Sequence, residues 1–438
     1  MPGYAEKARS LYLETGTTVP ESIVKAQALI KWAMARANAE EGLLPRDVAD
    51  AIAEEALRLA QDPGRVVVEV FMTGSGTGLN MAVNDAIASA ASKRLGKKIH
   101  PNDHVNLGQS SNDTVPTAIR IAAGLGLLDV LTELRKLESR LEGLARRWNS
   151  IVKAGRTHLR DALPVTLGQW ARSYLHELAT IREALERSLH DISLVPLSGT
   201  AVGTGVNGSQ RAAERAVRLL AERTGLPLRR TEPPGARMRL LLDLHRLASL
   251  YKNLALLLWR LMQDVRLMQS GPVNGLNEAE IRIDLPGSSM MPGKTNPVTA
   301  ESVMQAAAHV AGLEGTVEKA MLLGELELSM GIPLAGYALV EAATILREAL
   351  RKAGDELERL EPRREEMRRQ ALRSPALATL LAPVVGYDKA AEIAKAMIQG
   401  ASLEEAAEQA GVEPGLLKGL SPEEFVKPGF PLGRRRLA

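Results

Sequence analysis

The stretch TVPTAIRIAAGLGLLDVLTELRKLESRLEGLARRW, residues 114–148, decides the fold. Ile121, Leu125, Leu128, Leu131, Leu134, Leu137, Leu141 and Leu144 recur at three- and four-residue steps, and charges gather toward the end at Glu133, Arg135, Lys136, Glu138 and Arg140. That spacing lines the leucines along one face of a helix. A helix of ~30 residues spans ~45 Å, more than the width of a small domain. Similar patterns run through residues 165–194, 236–270, 298–323 and 334–360. Few alternating β-branched runs separate them, so the expected fold is all-α with a central bundle of five long helices. RVVVEVF (65–71) reads as a short accessory strand.

The flanks of this centre differ from it. Residues 20–60 read as shorter helices, with Pro20 and Pro45 near helix starts. After the charge-dense LERLEPRREEMRRQ (357–370), short helices are punctuated by Gly and Pro. The expected division is an N-terminal helical domain (1–107), a central long-helix domain (108–361) and a small C-terminal helical domain (362–438).

Composition removes several chemistries. The 438 residues include no cysteine, which excludes disulfides, thiolate metal sites and a thiol nucleophile. No uncharged apolar run approaches the ~18 residues of a membrane span, and MPGYAEKARS at the start offers no signal-peptide core. A cytoplasmic location and no membrane partner are expected. Lys+Arg 55 against Asp+Glu 52 are interleaved, and 4 Trp, 6 Tyr and 3 Phe supply few stacking rings. No nucleic-acid partner is expected. Asparagine is scarce, as in proteins that avoid thermolabile residues. Most of it (Asn80, Asn84, Asn102, Asn106, Asn112, Asn207, Asn274, Asn277, Asn296) sits in short islands rich in Gly, Ser and Thr, where an amide is needed.

Four islands carry candidate chemistry. TGSGTGLN (73–80) combines glycines, which let backbone N–H groups approach a ligand, with the hydroxyls of Ser75 and Thr77. In HPNDHVNLGQSSNDTVPT (100–117), QSSND precedes a helix expected to begin near Thr114. Ser110, Ser111 and Asn112 then stand at a helix N-terminus, where an anion is stabilised. N-capping alone needs one or two such residues, and a run of five points to a carboxylate or phosphate site. In GRTHLRDALPVTLGQ (155–169), His158 occupies a turn between long helices among Gly, Arg, Thr and Asp. His176, His190, His245 and His309 lie within helical patterns and read as structural. GSSMMPGKTNPVTAE (287–301) places Lys294 and Asn296 to hold a carboxylate, with Glu301 one turn into the next helix, able to fix a histidine tautomer. Adjacent Met290 and Met291 suggest a loop that closes over a ligand.

GSSMMPGKTNP resembles the GSSxMPxKxNP signature of the fumarase/aspartase superfamily. TGSGT, HPND–VN–QSSND, GRTHL–DA–P–TLGQ, SGTAVGTGVN (198–207) and GYDKAAEIAK (386–395) resemble its other blocks in the same order, so the likeness covers nearly the whole chain from Tyr4 onward. Within the superfamily, His158, the MPGK of the signature, the His100 of HPND and GYDKAAEIAK are similar to class II fumarases, whereas His104 and GLNE (275–278) look like aspartases. The alternatives are an aspartate ammonia-lyase and a non-catalytic helical scaffold. Gly78 stands where the family usually has Gln and Ala82 where it has Asn, and the family's leading segment is missing.

The resemblance implies reversible anti addition of water to fumarate giving (S)-malate, a step of the tricarboxylic acid cycle, without metal or organic cofactor. It implies Ser288 as the base, and His158 with Glu301 as the acid–base pair on the opposite face. The dicarboxylate would be held by Ser75, Gly76, Thr77, Ser110, Ser111, Asn112, Thr157, Ser289, Lys294, Thr295 and Asn296. It also implies a homotetramer with a common helical core, each site drawing islands from three subunits. A second dicarboxylate site would use His100, Asn102 and Asp103. There the family commonly has Arg three residues before the His and this chain has Lys97, which loses a bidentate contact and counts against a role for the site.

Overall fold

The computed structural model describes residues 10–281, 287–417, 421–427 and 429; Tyr4 and the C-terminal GRRRLA lie outside them. Pro20 and Pro45 stand at the N-caps of α1 (Glu21–Glu40) and α2 (Arg46–Gln61), where a fixed φ and a missing N–H cost nothing. α3 (Thr77–Leu95) ends on left-handed Gly96. The five long patterns are helices: α4 (Ser111–Arg147), α5 (Leu167–Ile192), α7 (Leu242–Met268), α8 (Val298–Leu322) and α9 (Ile332–Arg359), with the shorter α6 (Gln210–Thr224) between α5 and α7. α10 (Arg364–Leu372), α11 (Tyr387–Ile398) and α12 (Leu403–Gln409) follow, the last opened by a capping box between Ser402 and Glu405.

α4 changes character along its length. Residues 113–124 are buried on every side. Beyond them burial narrows to one stripe through Leu127, Leu131, Leu134, Leu137, Leu141 and Leu144, with the charges outside it. By composition α4 contains a stretch apolar enough to cross a membrane, but most of that stretch is buried against the chain itself, as in a core helix.

The chain divides into two compact units. One comprises residues 1–134, 180–256 and 306–350; in it α1 packs on α2, α3 and α6. The other comprises residues 135–179, 257–305 and 351–438. Here α10 packs on the hairpin described below, and Leu377, Leu381, Ile393, Met397, Leu403 and Ala406 form a small core beneath α11 and α12.

The chain is predominantly helical, and two local expectations change. The turn expected to carry His158 is an antiparallel hairpin, β1 (Val152–Thr157) and β2 (Arg160–Thr166), inserted between α4 and α5. Its register shifts between Ala154 and Arg156, around Gly155, where a Cβ would lie 2.3 Å from the Leu163 carbonyl oxygen. Conversely, RVVVEVF pairs with residues 17–19 through two backbone hydrogen bonds of 2.8 Å and forms a single bridge, Thr18–Glu69, instead of a strand. Elsewhere among the described residues β-structure is confined to pairs of two-residue strands.

Candidate active site

In the first unit the TGSGT loop meets the start of α4. Gly76, the N-cap of α3, has φ 75°, and a Cβ there would lie 2.7 Å from Val115 Cγ1; only glycine meets both conditions. The close approach brings Thr77 Oγ1 to 3.0 Å from Ser111 Oγ and 2.8 Å from Ser75 Oγ. Ser75 and Ser111 are buried.

α4 begins at Ser111, three residues earlier than its apolar pattern, and this sorts the QSSND run. Ser110 Oγ accepts the Asn112 N–H (3.2 Å) while Asp113 Oδ1 accepts the Ser110 N–H (3.0 Å), a reciprocal cap. Ser111 reaches Thr77, and Asn112 Nδ2 donates to the Ala201 carbonyl (2.8 Å). Capping therefore engages Asp113 and the acceptor side of the Ser110 hydroxyl, and requires neither Ser111 nor Asn112. Asp113 Oδ2 also accepts the Thr200 N–H (2.9 Å), in a segment where Ser198 (φ 71°) and Thr200 (φ 55°) are left-handed, a conformation disfavoured for β-branched Thr. Three islands thus converge as hydroxyl, amide and helix-end donors, a setting suited to a carboxylate.

In the second unit, His158 (φ 54°) and Leu159 (φ 58°) form the two-residue tip of the hairpin. Both residues take the left-handed conformation of a type I′ turn without the Asn or Gly that eases it. Thr157 and His158 are exposed, and Leu159 is 75% exposed. The base of the hairpin is anchored by buried Glu278, which pairs with Arg156 (2.6 Å) and Lys153 (3.3 Å), while Arg156 also donates to Gln370 (2.7 Å). Glu278, the last residue of GLNE, thus has a structural use that its sequence pattern does not reveal.

The signature segment closes on itself. Gly287 N–H donates to the Lys294 carbonyl (2.8 Å) and Asn296 Nδ2 to the Gly287 carbonyl (2.6 Å). Inside the closure Ser288 Oγ accepts the backbone N–H groups of Met290 (3.1 Å) and Met291 (2.9 Å). Ser289, Lys294 and Thr295 are exposed, and Met290 is 86% exposed. Glu301 lies in the first turn of α8; within one chain its ionic partner is Arg266, at 3.8 Å, rather than His158.

The residues of the second dicarboxylate site are engaged locally. Lys97 pairs with Asp47 at 2.5 Å. His100 Nδ1 accepts the N–H groups of Asn102 (3.3 Å) and Asp103 (3.1 Å), capping the turn Pro101–Val105, and the His100 N–H donates to His104 Nδ1 (2.8 Å).

These islands on this helical frame are those of a lyase: the family described as Lyase matches residues 6–312 and that described as Fumarase C C-terminus matches 377–427. The chain is 44% identical over 434 residues to a class II fumarate hydratase of Saccharolobus solfataricus, covering 98% of this chain and 99% of that one. It is 40% identical to that of Thermus aquaticus, covering 94% and 90%. A crystal structure of recombinant class II fumarase from Schistosoma mansoni superposes with a TM-score of 0.93 at 30% identity, covering 97% of this chain and 95% of that one. The chain belongs to the class II fumarate hydratase family.

Proposed function

We infer that this chain catalyses the reversible anti addition of water to fumarate, giving (S)-malate, in the cytoplasm and as part of the tricarboxylic acid cycle. Its end-to-end likeness to class II fumarate hydratases carries the reading. In the malate-to-fumarate direction, a proton leaves the carbon beside one carboxylate and the bond to the hydroxyl on the neighbouring carbon breaks. The first step places a second negative charge on that carboxylate, so fixed positive and hydrogen-bonding groups around it govern the rate. Lys294 and Asn296 serve there, with Ser289 and Thr295 beside them. Ser75, Gly76, Thr77, Ser110, Ser111, Asn112 and Thr157 anchor the rest of the dianion.

Ser288 takes the proton. A serine hydroxyl is ordinarily a poor base, and the two N–H groups aimed at its Oγ support this role because they lower the energy of the alkoxide. His158, held by Glu301, passes a proton through water to the departing hydroxyl on the opposite face. Since Glu301 faces Arg266 within the chain, the reading places that pairing across subunits, in a homotetramer whose five long helices per chain form the common core. The three-region division, 1–107, 108–361 and 362–438, belongs to the same reading. Exposed Leu242, Leu256 and Trp259 on α7 support self-association of these helices.

The purified protein should consume fumarate in water alone. Turnover that required ammonia would reassign it as an aspartate ammonia-lyase, and turnover with neither would favour the scaffold.

A further inference from the structure

Behind the carboxylate half-site lies a lysine that the reaction does not use. Lys31, on α1, is completely buried. Its Nζ donates to Asn80 Oδ1 (2.7 Å), Asn106 Oδ1 (2.8 Å) and Gln109 Oε1 (2.9 Å). An ammonium has three donors and no acceptor, and here each donor meets one oxygen. A neutral amine, with two N–H groups, would turn its lone pair toward one of those oxygens and lose that bond. Gln27, one turn earlier and also buried, donates to Asn80 (2.8 Å) and Thr114 (3.0 Å).

The three acceptors belong to two of the three islands that form the half-site. Asn80 lies in the first turn of α3, three residues after Thr77, and Gln109 directly precedes Ser110. We propose that Lys31 is a positioning residue for dicarboxylate binding, its ammonium clamping the TGSGT loop to the start of α4 and so setting the contact between Thr77 and Ser111. This rests on the reading of Ser75, Thr77 and Ser110–Asn112 as carboxylate contacts.

Burial opposes the ammonium. Burial pulls the Lys31 amine down to about 7 and pushes the Asp113 carboxyl up to about 7, while each charge partly offsets the other. Asp113 is itself held by backbone N–H groups, those of Ser110 and Thr200. A lysine buried against such a penalty is accounted for if its ammonium holds two ligand-binding segments in register.

The test compares wild type with Lys31→Met by calorimetric binding of succinate, a dicarboxylate that cannot eliminate, and by steady-state kinetics with fumarate. Misplaced contacts should weaken succinate binding and raise KM by about tenfold or more, with kcat changing less. A folded Lys31→Met protein whose melting temperature falls while its affinity and KM stay at wild-type values overturns the proposal. Should Lys31→Met fail to fold, Gln109→Met, which removes one acceptor and keeps the ammonium, decides it by the same readings. Wild type that binds succinate without hydrating fumarate would sink the hydratase reading, and the affinity ratio would still decide the clamp. Wild type that binds no dicarboxylate overturns both.

Discussion

At the scale of single residues, the signature loop shows how a weak base is prepared. Ser288 Oγ sits where two N–H groups point and Gly287 closes the loop behind it, with a Cβ at Gly287 landing 2.6 Å from the Lys294 carbonyl oxygen. Ser288→Ala should fold normally, since the side chain is only half-buried, and should lower kcat by about 10²–10⁴-fold with KM little changed; unchanged kcat would remove Ser288 from the chemistry. Ser75, Thr77, Ser111 and His158 stood out as candidates because hydroxyl, imidazole and glycine in short islands are chemically conspicuous, whereas the role of Ser288 came only from the resemblance of GSSMMPGKTNP to the superfamily signature. Lys31 was not. A lysine in a helical run reads as solvated surface, and its three acceptors lie 49, 75 and 78 residues away. The asparagine count held half of that signal, since Asn80 and Asn106 were both among the amides singled out.

Between elements, α4 and α7 are pinned by an ion pair that periodicity cannot reveal. Arg120 and Asp243 are wholly buried and bind in a fork, Nε to Oδ2 at 2.7 Å and Nη2 to Oδ1 at 2.9 Å, with Arg237 adding a third contact at 3.1 Å. Removing one member strands a buried charge. Asp243→Leu should therefore cost about 3–5 kcal/mol, read as a lower denaturation midpoint, and adding Arg120→Met should recover part of the loss. A loss below 1 kcal/mol for Asp243→Leu would mean water reaches Arg120. The five long helices were visible because leucine periodicity is a local signal. The hairpin was hidden because residues 151–166 mix Gly, Pro and charge without alternation, and its strands are fixed by Glu278 and by α10, far off in sequence.

For the whole molecule, the exposed His158 tip and the exposed Lys294 face set the central question, since Glu301 pairs within the chain with Arg266 rather than with His158. If sites are shared, mixing inactive His158→Asn and Ser288→Ala subunits should restore up to about a quarter of wild-type activity, as random assembly of a symmetric oligomer allows; no recovery in verified mixed oligomers would confine each site to one chain. Periodicity and composition do not reveal such sharing, because nothing local marks which copy supplies a group; only the family resemblance implies it. The hydratase activity is tested most directly by the ultraviolet absorbance of fumarate in buffer free of ammonia. With purified protein it should fall to a steady value, and the same value should be reached from (S)-malate. Absorbance that stays flat from both sides would contradict the hydratase reading outright.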